Sequence, residues 1–282
     1  MKKILFAFLV IPFLWCCSSS NNTTTTSTAA ESRAVVSLVV HIENSQEPDV
    51  DAFIAAVDQL GEADIPVSLG ADYTWLQNES RASEIFDAVL NKGGNLDVHA
   101  HSSNFYNRAD LANLIVSLGY EPTGVVSGYT PDEADDFAEP IDPILGGDTW
   151  QALYLWGLAE PGHTSDDTSW GITRYDDGSP PLIGGGALSI ASAENMIGQV
   201  SDGDYPEMLL TCGIALNPET LTVLGEIDGD TVDDIIDLKN RTDSQGASWL
   251  TIQDIGELAD SEYPGQDSRI EGVSDTSVSD TE

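Results

Sequence analysis

The chain has 282 residues, of which 48 are acidic and 10 are basic, so its formal net charge is −38. Such a surface repels the phosphates of nucleic acid and the headgroups of anionic lipid, which excludes nucleic acid as a predicted partner. A saline or calcium-rich habitat, in which the charge is screened and keeps the protein soluble, explains the imbalance better than a specific basic partner.

The N-terminal segment predicts export from a bacterial cell. Two lysines precede an apolar run at residues 4–15 that is too short to cross a bilayer as a mature helix. The sequence Leu14-Trp15-Cys16-Cys17 resembles a lipoprotein signal, so residues 1–17 are predicted to comprise a signal peptide and the lipid-anchor cysteine, Cys17, which becomes the new N-terminus. A plain secretory signal is the alternative. The protein is therefore expected in the cell envelope, on the periplasmic or cell-surface side, and bound to the membrane only through its lipid.

Residues 18–32 are almost entirely Ser, Thr, Asn and Ala, a composition typical of a flexible tether. Strand-like and helix-like segments then alternate over residues 33–263 and indicate one α/β domain. Strands are predicted at 35–43, 65–69, 96–101, 124–127, 153–156, 208–216 and 248–250. Helices are predicted at 50–60, 85–90, 111–118, 191–200 and 231–239, and from the caps Asn217 and Thr251. Residues 264–282 are polar and acidic and are predicted to be a disordered tail.

About seven strands alternate with about as many helices, which predicts a distorted (β/α) barrel of about seven parallel strands. An open doubly wound sheet is the alternative fold. In both folds, functional sites form at the carboxyl ends of the parallel strands.

Three of the four histidines lie in two strand-like segments, His41-Ile42-Glu43 and Asp97-Val98-His99-Ala100-His101. Alternate side chains of a strand point the same way, so the histidines and acids of each segment share a face. Both segments end a predicted strand, and we expect them to meet there. Imidazole and carboxylate ligands favour zinc or a similar divalent ion.

The predicted ligands are His99 and His101 with Glu43 or His41, which leaves one position open for water or substrate. Asp97 is interpreted as a further ligand, as a partner that orients an imidazole, or as the catalytic base. The fourth histidine, His163, lies in a polar loop. It is interpreted as a ligand or as a general acid, because imidazole titrates near neutral pH.

Aromatic residues crowd the region from 150 to 175, and aromatic faces above a barrel stack on sugar rings. Trp170, in this region, is a predicted substrate-binding residue, and packing in the core or a loop is the alternative. Tyr129 is also predicted to bind substrate. Arg174 is one of few cations and is predicted to pair with a carboxylate of the site or of the substrate.

The order of these segments resembles the polysaccharide deacetylase superfamily over about residues 36–260. The resemblance is carried by His41-Ile42-Glu43, by the segment from Gly93 to His99, by the segment from Gly124 to Tyr129, and by Trp249-Leu250-Thr251-Ile252 before a helix. It implies a distorted barrel that uses a divalent ion, usually zinc, to remove N- or O-linked acetyl groups from glycans. It also implies that His99 is a metal ligand, with His101 replacing a second histidine that the family carries four residues after the first.

The leading hypothesis is a metal-dependent hydrolase of a carbohydrate amide or ester, with Asp97 or Glu43 as the base and His163 as the acid. Where the family carries two aspartates this chain has His41-Ile42-Glu43-Asn44, and the family's arginine is missing. A catalytically inactive carbohydrate-binding or scaffold lipoprotein is therefore the second hypothesis. An amidohydrolase or phosphoesterase of another barrel family ranks last, because such proteins usually carry the His-x-His pair on the first strand.

Overall fold

The apolar run that begins at residue 33 forms the central strand of the fold. The structure, a computed structural model, describes residues 31–99, 105–129, 137–157, 169–224 and 229–271. Strand β1 (Arg33–Ile42) is buried over nearly its whole length and pairs in parallel with three other strands. A strand that is covered on both faces is expected to be apolar at successive positions, as this one is.

The other strands are β2 (Val67–Ala71), β3 (Asn95–Asp97), β4 (Val125–Tyr129), β5 (Tyr154–Gly157), β6 (Ser169–Trp170), β7 (Ile172–Thr173), β8 (Leu182–Gly184), β9 (Leu209–Leu216), β10 (Ser248–Trp249) and β11 (Ile270–Glu271). The helices are α1 (Val50–Glu62), α2 (Tyr73–Asn78), α3 (Ala82–Asn91), α4 (Arg108–Ser117), α5 (Ile190–Asp202), α6 (Val232–Thr242) and α7 (Ile252–Glu262). Within the described residues the protein is thus an α/β fold with seven α-helices and mostly parallel sheets, the class that the alternation of segments predicted.

Two larger sheets carry the fold. In the first, β1 lies between β9 on one side and β2 followed by β3 on the other, with β10 beside the first residues of β1. In the second, β4, β5 and β8 are parallel and β7 is antiparallel to β8. Hydrogen bonds also join the two sheets. The Val98 amide after β3 donates to the Val125 carbonyl oxygen (3.0 Å), and the Gly213 amide in β9 donates to the Gly185 carbonyl oxygen after β8 (2.9 Å).

Side chains on opposite faces of β1 enter two different apolar clusters. Val36, Leu38 and Val40 belong to the larger cluster, which includes apolar residues of α1, α3, α5 and α6. Val35 and Val39 point the other way, into a smaller cluster that contains Ile252, Ile255 and Ala259 of α7. His41 lies two residues after Val39 and therefore on the same face of β1. Helix α7 packs on this face of the sheet.

Short polar side chains start several helices. Asp49 accepts hydrogen bonds from the first amides of α1, and Asn107 forms a reciprocal capping box with Asp110 in α4. Thr251 accepts from the Asp254 amide at the start of α7, which confirms the cap predicted there. No helix in the described ranges combines the length and apolarity that a membrane span requires.

The helix predicted to begin at Asn217 is wrong. The Asn217 side chain accepts hydrogen bonds from the amides of Glu219 (2.9 Å) and Thr220 (3.1 Å), which is also what a helix cap does. The chain then turns back, so that Leu216 and Val223 form an antiparallel bridge. An asparagine side chain supports a turn and a helix start with the same local bonds, and the pairing that follows decides between them.

The disordered tail predicted from residue 264 is wrong for residues 264–271. Strand β11 pairs with β6, and Ser268 is buried. The Ser268 hydroxyl donates to the Leu209 carbonyl oxygen (2.6 Å) and accepts from the Ile172 amide (3.0 Å). The domain thus extends past the predicted end at residue 263. Residues 272–282 and the predicted signal peptide with Cys17 lie outside the described residues, as does most of the tether.

We expect Ser268→Ala to lower the free energy of unfolding by about 1–3 kcal/mol, because the buried Ile172 amide and Leu209 carbonyl both lose a partner. Ser261→Ala is the control, since its exposed hydroxyl bonds only carbonyls of its own helix, and its effect should stay within about 0.5 kcal/mol. Urea denaturation followed by tryptophan fluorescence measures both. Equal effects of the two substitutions would contradict the ordered packing of residues 264–271.

Candidate functional site

The carboxyl ends of β1 and β3 bring two imidazoles and a carboxylate together. His41 is the penultimate residue of β1, Glu43 follows this strand, and His99 lies two residues after β3. The Nε2 atom of His99 lies 2.8 Å from Oε1 of Glu43. The rings of His41 and His99 stack with their centroids 3.9 Å apart and an interplanar angle of 17°. The two segments thus meet, as the alternation of side chains predicted; the role of these residues as metal ligands remains a prediction.

Strand β4 contributes a residue that the sequence did not single out. The hydroxyl Oγ of Ser127 lies 2.7 Å from Nε2 of His41, and the Ser127 carbonyl oxygen lies 2.8 Å from Nδ1 of His99. Ser127 lies two residues after Val125 on β4, so both side chains are on the same strand face. Its contacts with the imidazoles are made across strands, and no local sequence pattern indicates them. One residue therefore contacts both imidazoles.

Two glycines leave room for the stacked rings. A Cβ atom at Gly70 in β2 would lie 2.5 Å from Cβ of His99 and 3.1 Å from Cδ2 of His41. At Gly128, where φ is +80°, it would lie 2.8 Å from Nδ1 and Cε1 of His99. Any larger side chain at either position would collide with an imidazole. The imidazole pair therefore lies in a slot that only glycine leaves open on these two sides.

The site is buried on the imidazole side and open at the carboxylate. His99 is 1% exposed and His41 is 6% exposed, whereas about a third of the Glu43 side chain is exposed, at 32%. The rings of Trp156 and His41 lie nearly perpendicular to each other, with 5.7 Å between their centroids. Solvent or a substrate therefore reaches the cluster from the side of Glu43.

Two tyrosines that the sequence reading missed lie near this opening. The rings of Tyr73 and Tyr106 stack with centroids 4.6 Å apart, and the Tyr106 hydroxyl donates to Oδ2 of Asp72 (3.1 Å). Burial raises the pKa of Tyr106, and the negative charges of Asp72 and Glu43 raise it further. The influence of Glu43 shows that this phenol lies within electrostatic reach of the site.

Asp97 shares the strand face of His99 but has different partners. It is 1% exposed, and the Thr123 hydroxyl donates to its Oδ1 atom at 2.6 Å. Burial raises its pKa to about 7, although hydrogen bonds from Thr123 and Ser68 act in the opposite direction. Asp97 does not orient His99, because Ser127 and Glu43 bond the two nitrogens of that ring. Its roles as a ligand, as the partner of another imidazole or as the base remain predictions.

The predicted substrate-binding residues do not lie together. Tyr129 ends β4 at the carboxyl edge, two residues beyond Ser127, and its ring contacts Phe137. Trp170 is 1% exposed and donates from its indole N–H to Ser192. A stacking face for sugar at Trp170 is therefore wrong, because apolar residues of the core already cover the ring.

Arg174 pairs with Asp260 of α7 (3.0 Å), and its Nε atom donates to the Gln266 carbonyl oxygen. Asp260 also accepts from the hydroxyl of Tyr154, the first residue of β5. This end of β5 is opposite to the carboxyl ends at which His41 and His99 lie. The structure thus does not bring Arg174 to the imidazole cluster, and the carboxylate that it binds is a structural one.

His101 and His163 lie outside the described residues. Among the residues that are described, no three side chains of His, Cys, Asp or Glu form a group arranged to hold a metal ion. The described part of the predicted metal site is therefore a pair, His99 with Glu43, and the His41 ring stacked beside it.

Comparison with known proteins gives no family. No family model matches the chain, and no curated protein sequence matches it. Similar solved structures include the YdjI aldolase from Escherichia coli K12, which is 14% identical over 66% of this chain and 76% of that chain, with a TM-score of 0.26. A likeness of this size carries no argument about fold or activity.

We expect Gly128→Ala to disrupt the imidazole slot, since the added Cβ atom meets the His99 ring and the backbone has a positive φ. The control is Gly178→Ala, because Gly178 has a φ of +91° and nothing within 4 Å of the added atom. Backbone strain alone costs on the order of 1–2 kcal/mol, so Gly128→Ala should lower the free energy of unfolding by more than Gly178→Ala does. Similar losses in denaturant titrations of the two variants would refute the slot.

The stability of the folded protein should depend on pH through the buried carboxyl of Asp97. Because the folded-state pKa of Asp97, about 7, lies above its ordinary value of 3.8, the folded protein keeps a proton that the unfolded chain releases as the pH rises. This contribution to stability is present below about pH 4 and is lost as the pH rises through 7. Asp97→Asn still accepts from Thr123 but cannot ionise. Between pH 4 and 8, wild type should lose at least about 1.4 kcal/mol relative to the variant, the equivalent of one pKa unit.

This difference is measured from denaturant titrations at several pH values in the presence of a chelator. Asp233→Asn, which removes an exposed carboxylate at the start of α6, is the control and should keep the wild-type pH dependence. Parallel pH profiles for wild type and Asp97→Asn would show that the Asp97 carboxyl is ionised in the folded protein at pH 4.

Proposed function

We propose that the chain is a metal-dependent hydrolase of the polysaccharide deacetylase type, which removes an acyl group from a carbohydrate amide or ester. The observation that carries the proposal is the facing of His99 Nε2 and Glu43 Oε1 across 2.8 Å at the carboxyl ends of parallel strands. Functional sites of parallel α/β folds form at this edge.

The donor set fits a divalent ion. Carbonyl oxygens only accept hydrogen bonds, so the nitrogen of His99 that faces the Ser127 carbonyl, Nδ1, carries a proton. This arrangement turns the other nitrogen, Nε2, toward the carboxylate of Glu43. A histidine that donates its second N–H to a backbone carbonyl is typical of metal ligands, and imidazole with carboxylate suits zinc. His99 and Glu43 would hold the ion together with His101, one of the two ligand sets that the sequence predicts.

A bound divalent ion lowers the pKa of water and polarises a carbonyl group. Of the two candidate bases, Glu43 is better placed to take the proton of an attacking water, because its carboxylate is partly exposed while Asp97 is buried and accepts from Thr123. His163 is proposed as the acid that protonates the leaving group. The buried imidazoles exclude water from the inner side of the site.

A carbohydrate substrate agrees with the surroundings of Glu43. The Glu43 amide donates to the side-chain oxygen of Gln46 (2.7 Å), and Gln46 lines a cavity of about 320 Å³. Amide and carboxylate groups and one indole ring form its wall, a mixture that suits hydroxyl-rich ligands. The lining residues are Asn44, Gln46, Glu47, Pro48, Trp75, Asn78 and Glu79.

We also propose that the strands close into a distorted barrel in the order β1, β2, β3, β4, β5, β8 and β9. The hydrogen bonds between Val98 and Val125 and between Gly213 and Gly185 support closure, since they join the two sheets at both edges. With the export signal and the Cys17 anchor predicted from the sequence, we propose that the enzyme acts at the bacterial cell envelope as a lipoprotein.

The test combines metal analysis with turnover. Wild type purified without added metal is expected to hold or take up one zinc ion and to release acetate from acetylated oligosaccharides, and a chelator should abolish this release. His99→Ala and Glu43→Gln should weaken zinc binding by more than the ten- to hundredfold typical of losing a residue that only supports a ligand. Glu262→Gln, which removes an exposed carboxylate paired with Arg33, is the control.

Wild-type protein that neither holds nor takes up stoichiometric metal would contradict the proposal. Glycan binding without acetate release, unaffected by His99→Ala, would instead favour the carbohydrate-binding or scaffold lipoprotein.

A further inference from the structure

We propose that Ser127 is a positioning residue that orients both imidazoles and divides their roles: it turns Nε2 of His99 toward the ion and holds Nε2 of His41 at its own hydroxyl. The inference rests on the proposed function. It goes further in one respect, because it assigns His41 a role other than that of a ligand through Nε2.

The assignment follows from two contacts of a single buried residue. Ser127 is 1% exposed; its hydroxyl lies 2.7 Å from His41 Nε2 and its carbonyl oxygen lies 2.8 Å from His99 Nδ1. The carbonyl contact leaves His99 Nε2 directed at Glu43. The hydroxyl contact engages His41 Nε2, whichever of the two atoms donates. His41 therefore cannot offer that nitrogen to an ion unless the bond to Ser127 breaks.

The backbone of β4 explains why the Ser127 carbonyl is available to His99. Pairing of β4 with β5 is regular through Ser127 and Trp156 and then shifts, so that Tyr129 is opposite Gly157. Gly128 is the extra residue, and its φ of +80° turns the chain there. Such a bulge interrupts the ladder and redirects the groups beside it. On the other edge, the Ser127 amide donates to the Val98 carbonyl oxygen (3.1 Å), which places Ser127 level with His99.

The hydroxyl is the part of Ser127 that substitution can remove. Ser127→Ala deletes the partner of His41 Nε2 and keeps the carbonyl that binds His99, so the two imidazoles should respond differently. Ser127→Thr keeps the hydroxyl and should restore the wild-type state of His41. Thr211→Val is the matched control, because Thr211 is also a buried strand residue whose hydroxyl bonds two carbonyls, those of Gly171 and Gly184.

The experiment records long-range ¹H–¹⁵N NMR spectra of the histidine rings in metal-free full-length protein. We expect one fixed tautomer at His41 in wild type, in Ser127→Thr and in Thr211→Val, and a mixture of tautomers in Ser127→Ala. His99 should keep its proton at Nδ1 in all four proteins. A His41 signal that is unchanged by Ser127→Ala, or an unprotonated His99 Nδ1 in wild type, would overturn the proposal.

Zinc titration of wild type then tests the division of roles. We expect the added metal to shift the Nε2 resonance of His99 and to leave His41 Nε2 without a metal-induced shift. A zinc shift at His41 Nε2 would overturn the division. If wild type binds no zinc, the proposed hydrolase fails, whereas the positioning by Ser127 is still decided by the metal-free spectra and the Ser127→Ala comparison. The wild-type spectra also decide the His99 assignment if a variant does not fold.

Discussion

The parallel bridge between Val98 and Val126 sets the level at which β3 meets β4, and the imidazole cluster depends on it. The bridge places Val98 against the backbone of β4, so its neighbour His99 meets the Ser127 carbonyl. Pairing of β1 with β2 and of β2 with β3 sets the level of His41 relative to His99 in the same way. Because side chains alternate along a strand, a shift of one residue in any of these pairings would turn an imidazole to the opposite face.

The slot around the two rings illustrates how the fold accommodates bulky polar groups in its interior. The rings stack at 3.9 Å between the backbone positions of Gly70 and Gly128, and each has a hydrogen-bonding partner from β4. A buried polar group without a partner costs roughly 1–3 kcal/mol, so these bonds are needed for stability as well as for orientation. The hydrogen bonds that stabilise the buried imidazoles also determine which ring nitrogen of each histidine is available to bind another group.

The charge of the whole chain limits the proposed substrates. A net charge of −38 repels anionic ligands at long range. The carboxylates of Glu47 and Glu79, which line the cavity beside β1, add to this repulsion. A neutral acylated glycan carries no charge and is therefore repelled neither by the net charge of the chain nor by the carboxylates of the cavity. Its hydroxyl groups can exchange hydrogen bonds with the amide side chains of Asn44, Gln46 and Asn78 that line the cavity.

The sequence by itself determined the α/β class, because periodicity and capping are local properties that read directly as strands and helices. It also indicated that His41, Glu43 and His99 share an edge, since alternation and the position at the end of a strand are visible in the residues. Only the tertiary structure decided that Trp170 belongs to the core, that Arg174 binds Asp260, and that Asn217 starts a turn. The first two depend on partners distant in the chain, and the third depends on the pairing of Leu216 with Val223. Residue type carries no information about these partners. Ser127 shows the same limit, because its importance comes from a bulge and two cross-strand contacts that no local pattern specifies.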